Sequence, residues 1–303
     1  MDPTTRAGAS TSALHARLTA WYAAHRRDLP WRGDGTDAWG VLVSEVMLQQ
    51  TPVSRVDPVW RAWMERWPTP SDLAAASPAD VLVAWDRLGY PRRALRLREC
   101  ATAIRDTCGG IVPDDETALL ALPGIGPYTA AAVRAFAYGR RAVVLDTNVR
   151  RVLARALGGE ALPAPSLTRA EQDRAAAHLP LDDAGSALWN VALMELGALV
   201  CTARSPRCDV CPLRELCAWR AAGHPPDVHA HRRRTQAWHG TDRQARGALM
   251  AVLRERRDVA PETLADAWPP PEQRRRALAS LVADGLVVAV TDDDGAALSY
   301  ALP

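Results

Sequence analysis

Four cysteines, Cys201, Cys208, Cys211 and Cys217, form a C-x6-C-x2-C-x5-C run within seventeen residues, and only Cys100 and Cys108 stand elsewhere. That density of thiols reads as a metal site. Neighbouring thiolates repel one another and are costly to deprotonate at neutral pH, so four together are stable chiefly around a cation. Arg204, Arg207 and Arg214 within the run offset the negative charge. A single asymmetric run suits the separated corners of a cubane cluster better than the paired short knuckles of structural zinc. A [4Fe–4S] cluster is expected, with zinc as the alternative. Residues 1–12 are polar and lack the apolar core of a secretion signal, so a reduced, cytoplasmic setting is expected in place of disulfides.

With 303 residues, 48% of them hydrophobic, the chain can bury one large core or two to three smaller ones. No apolar run is long enough to span a bilayer, and no membrane partner is expected. The net charge of +2 sets 37 basic residues against 35 acidic ones, so any surface for nucleic acid must be a local patch. Every basic residue is arginine. Chemistry that needs a lysine nucleophile is therefore excluded, and the terminal amine is the one amine left.

Apolar residues recur at three and four from about residue 12 to 223, and alternating strand patterns are scarce. The spacing predicts an all-α body with helices over 12–25, 38–50, 54–66, 78–88, 91–107, 115–121, 127–137, 146–157, 168–178 and 185–199. Ser71 and Ser77 read as helix N-caps. Residues 223–240, with two prolines, four histidines and three consecutive arginines, read as a solvated basic linker. Helices near 242–256, 261–268 and 271–284, then strands over 286–291 and 297–302 around Asp292-Asp293-Asp294-Gly295, predict a small winged-helix-like module at 241–303. Arg274, Arg275 and Arg276 start its third helix, where they could meet phosphates or solvent.

Leu122-Pro123-Gly124-Ile125-Gly126-Pro127-Tyr128-Thr129 joins two apolar helices. Its glycines predict a tight turn with exposed N–H groups, and the next helix brings its positive dipole end to the same place, which suits a DNA phosphate. This segment resembles the helix-hairpin-helix of the DNA glycosylase superfamily typified by endonuclease III. The Asp146 of Val144-Leu145-Asp146-Thr147-Asn148-Val149 and the cysteine run follow in that superfamily's order. The resemblance spans about residues 12–222. It implies a glycosylase domain over 1–222 made of two helical subdomains, a six-helix barrel part at about 33–142 and an iron–sulfur part at about 1–32 and 143–222. It also implies Gly124, Gly126 and Thr129 as phosphate-binding residues and Cys201, Cys208, Cys211 and Cys217 as cluster ligands.

Ser44-Glu45-Val46-Met47-Leu48-Gln49-Gln50-Thr51, preceded by Asp28-Leu29-Pro30-Trp31-Arg32, resembles the adenine DNA glycosylase (MutY) family. The resemblance implies release of adenine mispaired with 8-oxoguanine or guanine, in base-excision repair. A carboxylate on an apolar helix is expensive unless used or paired, which singles out Glu45. Adenine leaves readily only once N7 is protonated, so an acid of raised pKa is wanted on the base side, and Glu45 fits. The sugar becomes oxocarbenium-like, and Asp146 fits the ionised carboxylate that stabilises or captures it. Asp146 also stands where a helix cap is common, and the two roles are compatible.

By the same resemblance, Tyr128 and Asn148 surround the sugar and water, Arg27 and Arg32 lie near the flipped adenine, and Glu195 contacts the adenine edge. Gln50 wedges into the stack when the base is extruded, and Tyr90 belongs to the segment that probes the opposite base. Tyr128 occupies the position of the lysine with which endonuclease III-like enzymes cleave the strand. A monofunctional enzyme without lysine-dependent lyase activity is therefore expected. The implied partner is double-stranded DNA containing a mismatch or oxidised guanine, bound by a monomer in the cytoplasm or at the nucleoid.

Three departures bear on specificity. Pro91 follows Leu88-Gly89-Tyr90 where the family commonly has another tyrosine, and Thr147 follows Asp146 where many members carry glycine. Residues 241–303 also show no counterpart of the family's Nudix-like domain. Two other readings compete. A thymine or uracil mismatch glycosylase would tolerate Tyr128 and the cluster, although Gln49-Gln50 and Glu195 argue against it; a non-catalytic iron–sulfur DNA sensor is opposed by the presence of both Glu45 and Asp146.

Overall fold

The computed structural model describes residues 3–232, 238–256, 258–293 and 297–303. Arg233 and Arg234 of the basic linker, and Asp294 and Gly295 of the expected hairpin turn, lie outside the described residues. The elements in chain order are α1 (Pro3–His25), α2 (Ala38–Leu48), α3 (Val53–Arg66), α4 (Pro70–Ala75), α5 (Pro78–Ala84), α6 (Arg92–Thr107), α7 (Glu116–Ala121), α8 (Pro127–Phe136), α9 (Thr147–Ala156), α10 (Arg169–Ala177), α11 (Asp183–Leu199) and α12 (Ala218–Ala221). They continue with α13 (Asp242–Glu255), α14 (Pro261–Ala267), α15 (Pro271–Ala283), β1 (Val288–Thr291) and β2 (Ala297–Ala301). The helical body is as expected.

Two local readings change. Helix α1 starts at Pro3, upstream of the expected position 12. Ser71 is not a cap; it lies inside α4, a helix too short to show periodicity. Thr69 caps α4 instead, in a capping box with Asp72, because its hydroxyl reaches the third helical N–H while Asp72 reaches back. Ser77 caps α5 as expected, accepting from the N–H of Asp80.

The chain forms two compact units, one of residues 1–33, 114–117 and 126–234, the other of 34–113, 118–125 and 235–303. Helix α8 thus belongs with the cysteine run, and the C-terminal module counts with the second unit rather than standing apart. The first unit's core joins Leu14, Leu18 and Tyr22 of α1 to Val149, Val152 and Leu153 of α9 and to Trp189, Leu193 and Leu196 of α11. Each such fully buried side chain contributes about 1.5–3 kcal/mol. The seam places α9, and with it residues 146–155, against α11.

In the second unit α2 is buried from Trp39 to Met47, as its almost uninterrupted apolar sequence demands. Gly40 makes this possible. A Cβ there would fall 2.8 Å from Thr36 Cγ2 and 3.2 Å from Trp60, whose indole N–H donates to the Gly40 carbonyl at 2.8 Å.

In the C-terminal module α13 packs on α15, and β1 pairs antiparallel with β2. Val259 adds a third, isolated pairing with Tyr300. The module is winged-helix-like. Arg254 reaches from α13 to the carbonyl of Leu82 at the end of α5 (3.1 Å), and Arg243 lies 4.8 Å from the Tyr90 ring centre. Its arginine trio is engaged internally: Arg274 donates to the carbonyls of Trp268 and Pro269, Arg275 to Glu272 and Arg276 to Asp242. These bonds favour a solvated, locally paired face over a phosphate-binding one.

Candidate functional site

In the first unit, Asp146 is the N-cap of α9. Its Oδ1 accepts from the Val149 N–H at 2.6 Å and its Oδ2 from the Asn148 side-chain amide at 2.7 Å. Burial raises its pKa above the ordinary carboxylate value, and the bonds from Val149 and Asn148 with the nearby charge of Arg151 oppose that only in part. The amide of Asn148 is held in turn. Its Oδ1 accepts from Arg151 at 2.8 Å, and Arg151 also donates to the carbonyls of Gly197 and Cys201, both at 2.7 Å. Gly197 permits this approach of α9 to α11, since a Cβ there would lie 2.7 Å from Asn148 Cβ. Tyr128, at the start of α8, packs on Ala132, Ala135, Ala142 and Val144.

Glu195 on α11 has no exposed side-chain surface. Its carboxylate accepts from the Arg27 backbone N–H (2.8 Å), from Arg27 Nε and Nη2 (2.9 and 2.8 Å), and from Arg32 Nη1 and Nη2 (both 3.1 Å). With both oxygens sequestered, Glu195 is not an accessible acceptor for an adenine amine, contrary to the sequence reading. It fixes the two arginines instead. Burial by itself would raise its pKa, but the bonds and charges of Arg27 and Arg32 outweigh burial and hold it at about 2. The depressed value stabilises the fold above the unfolded value of 4.5, and that contribution is lost as pH falls toward 2. Glu195→Gln is expected to cost about 3 kcal/mol at neutral pH by removing the buried anion that holds two partly exposed guanidinium groups. Denaturant titration should show the gap from wild type shrinking as pH falls below the normal carboxylate range.

The cysteine loop begins where α11 ends. The four thiols line one pocket together with Arg155 and Trp219. Arg155 Nη1 lies 3.4 Å from Cys201 Sγ and donates to the Thr202 carbonyl at 2.7 Å, while its plane covers the Trp219 ring at 4.7 Å. Among the described residues Arg155, not one of the loop's own arginines, is the cation that touches a thiol. Arg207 turns to the Leu199 carbonyl and Arg214 pairs with Glu215. Burial, reinforced by the neighbouring thiols, raises the pKa of Cys208 and pushes Cys211 up to about 11, so these two thiols demand a cation before they ionise. Among the described residues no three His, Cys, Asp or Glu side chains gather tightly enough to hold a single metal ion. Four thiols lining one pocket are the donor set that a [4Fe–4S] cluster takes.

In the second unit, Glu45 is 5% exposed on the buried helix α2. Beyond the end of α2, exposed Gln50 has φ of 57°, and Tyr90, 41% exposed, has φ of 48°. Both are left-handed without being glycine. Leu122 to Ile125 form a turn closed by the Ile125 N–H on the Leu122 carbonyl at 3.2 Å, with Gly124 at φ of 79°. That is the turn expected from proline followed by glycine. Gly126, which with α8 belongs to the first unit, differs from expectation: its φ of −101° is open to any residue and a Cβ there would meet nothing within 4 Å. It serves as the N-cap of α8. Thr129 is 3% exposed, so it does not offer an exposed hydroxyl to a phosphate.

Arg151, Arg155 and Gly197 carry much of this geometry and were not singled out as site residues from sequence. The i, i+4 placement of Arg151 and Arg155 on the face of α9 that meets α11 and the cysteine loop was the available signal.

Residues 43–176 match the HhH-GPD superfamily of base excision DNA repair proteins, and residues 201–217 match the iron–sulfur binding domain of endonuclease III. The fold and the cysteine loop thus define an endonuclease III-like base excision glycosylase with a [4Fe–4S] cluster. Over 279 residues the chain is 56% identical to the adenine DNA glycosylase of Mycolicibacterium smegmatis, which covers 91% of this chain and 92% of that one. Identity to the adenine DNA glycosylase of Mycobacterium tuberculosis H37Rv is 55% over 278 residues, covering 91% and 90%. The chain belongs to the adenine DNA glycosylase family. A solved thermostable thymine-DNA glycosylase superposes with a TM-score of 0.65 at 28% identity, over 73% of this chain and 100% of that one.

Proposed function

We propose that this chain is a monofunctional glycosylase that hydrolyses the N-glycosidic bond of adenine mispaired with 8-oxoguanine or guanine. The observation that carries the reading is a pair of carboxylates in unlike surroundings: Glu45 is 5% exposed on a buried apolar helix, and Asp146 is bonded at a helix N-terminus by Val149 and Asn148. The names of the mycobacterial relatives supply the substrate base.

Glu45 donates a proton to adenine N7, which converts the base into a leaving group. As the bond lengthens, positive charge grows on the deoxyribose, and the Asp146 carboxylate stabilises or captures it. The Asn148 amide holds one Asp146 oxygen and, with Tyr128, borders the sugar and the attacking water. Arg27 and Arg32, fixed by Glu195, meet the flipped base. Gln50 fills the gap that the base leaves, an extrusion costing a few kcal/mol by order of magnitude, and Tyr90 faces the opposite strand. Backbone N–H groups around Gly124 and at the Gly126 end of α8 receive a phosphate.

Cys201, Cys208, Cys211 and Cys217 hold the cluster, which braces the loop and supplies no step of the hydrolysis. Because the chain has no lysine and Tyr128 stands where the lyase nucleophile would be, strand cleavage is not part of the reaction. The glycosylase domain is assigned to residues 1–222, with 223–240 as a basic linker and 241–303 as an appended module. The enzyme acts as a monomer on duplex DNA in the cytoplasm or at the nucleoid.

A single-turnover assay on duplexes with A opposite 8-oxoguanine, G or C, and with T or U opposite G, tests the reading. Adenine release that is fastest opposite 8-oxoguanine or G, without strand breaks before alkali, is the expected result. Release of T or U alone would select the mismatch-thymine reading, and tight binding without release would select a sensor.

A further inference from the structure

We infer that Arg93 is the positioning residue that locks Gln50 and Tyr90, the two left-handed non-glycine residues at the proposed DNA-inserting edge, into one rigid unit. The inference rests on the wedge role given to Gln50 above.

Helix α2 ends at Leu48 with carbonyls that no later turn of helix can satisfy. The guanidinium of Arg93 takes them. Its Nη1 donates to the carbonyls of Val46 (2.7 Å), Met47 (3.3 Å) and Gln49 (2.7 Å). Its Nη2 donates the other way, to Thr51 Oγ1 (3.2 Å) and the Gly89 carbonyl (3.1 Å). One side chain therefore bonds to the residues on both sides of Gln50 and to the residue before Tyr90. The Thr51 hydroxyl completes the tie by donating to the Leu88 carbonyl at 3.1 Å, and the Arg93 N–H donates to the Tyr90 carbonyl at 2.9 Å. The guanidinium plane lies 5.2 Å from the Trp85 ring centre and 5.6 Å from that of Tyr90. Its Nε is buried without a partner, so the two Nη groups alone set its orientation.

Left-handed backbone at a residue with a Cβ persists only where its surroundings impose it. Here the imposing group is a planar fork with acceptors on two sides, which a lysine ammonium cannot reproduce.

The test uses full-length protein carrying its cluster, in single-turnover adenine release from two duplexes. In one, adenine faces G; in the other it faces an abasic position, so that most of the cost of extrusion is already removed. Arg93→Lys is expected to slow release from the A:G duplex about a hundredfold, the rate equivalent of losing the few kcal/mol that a wedge returns on extrusion. From the abasic duplex the slowing should be at most about fivefold. Thr51→Val removes one acceptor and the tie to Leu88 without removing the arginine, and should show the same pattern more weakly. Equal slowing on both duplexes would overturn the inference, because it would mean that Arg93 acts through Glu45 or through general stability. Unchanged rates in both variants would overturn it as well. A wild-type protein that releases adenine from neither duplex would instead bring down the functional reading.

Discussion

Replacing Glu45 with glutamine is expected to slow adenine release by about 10²–10⁴-fold, the usual contribution of a positioned general acid, while leaving duplex affinity nearly unchanged. Glutamine keeps the size and shape of the side chain but cannot supply the proton. Folding should not suffer. Glu45 is 5% exposed on an apolar helix, and an isostere fills the same volume there. Single-turnover release measured beside a gel-shift titration checks both halves. Full activity in the variant would sink the assignment of the acid, and lost binding would show that the residue shapes the DNA surface instead.

Asp146→Asn should separate stability from chemistry. The folded chain raises the Asp146 pKa above its usual 3.8, which means that folding favours the protonated carboxyl. That contribution is fully present below the unfolded value and is lost as pH rises through the folded one, so at neutral pH the ionised group burdens the fold. Asparagine is as good an N-cap as aspartate and carries no charge. Its NH2 must however face the Asn148 amide that Oδ2 now accepts, a cost independent of pH, so the variant is expected to melt furthest below wild type near pH 3 and to gain on it as pH rises to 7.5. Base release should fall by about three orders of magnitude, the scale of loss seen when a charge-stabilising group is removed from a transition state. A melting temperature that falls further behind wild type as pH rises would show that the fold depends on the ionised form. Retained release would remove Asp146 from the sugar side.

The two carboxylates also mark the limits of what sequence reveals. Glu45 was visible because it broke a local rule, as a charge inside an apolar helix, whereas Asp146 stood where a helix cap is common and was picked out by the resemblance. The cysteine run was legible because its spacing alone fixes a loop. Glu195 was visible as a residue but not in its role, since nothing near it in the chain reveals that Arg27 and Arg32 take both its oxygens. Arg93 was one of 37 arginines, and its significance lies in carbonyls more than forty residues upstream. Helix α4 was missed for a different reason: a single turn and a half shows no period, and Ser71 resembled a cap more than its neighbour Thr69 did. Gly124 and Gly126 looked equivalent, yet only the first has a backbone angle that needs glycine.

The contact at Gly40 has a consequence for how this family can drift. Helix α2 is located by an absent methyl group: Thr36 and Trp60 occupy the space where any side chain at position 40 would begin. That contact acts as a mechanical datum, and Glu45, little more than one helical turn away, inherits its coordinates from it. A single added carbon at Gly40 would press on Thr36 and Trp60 and so bear on where the carboxylate stands.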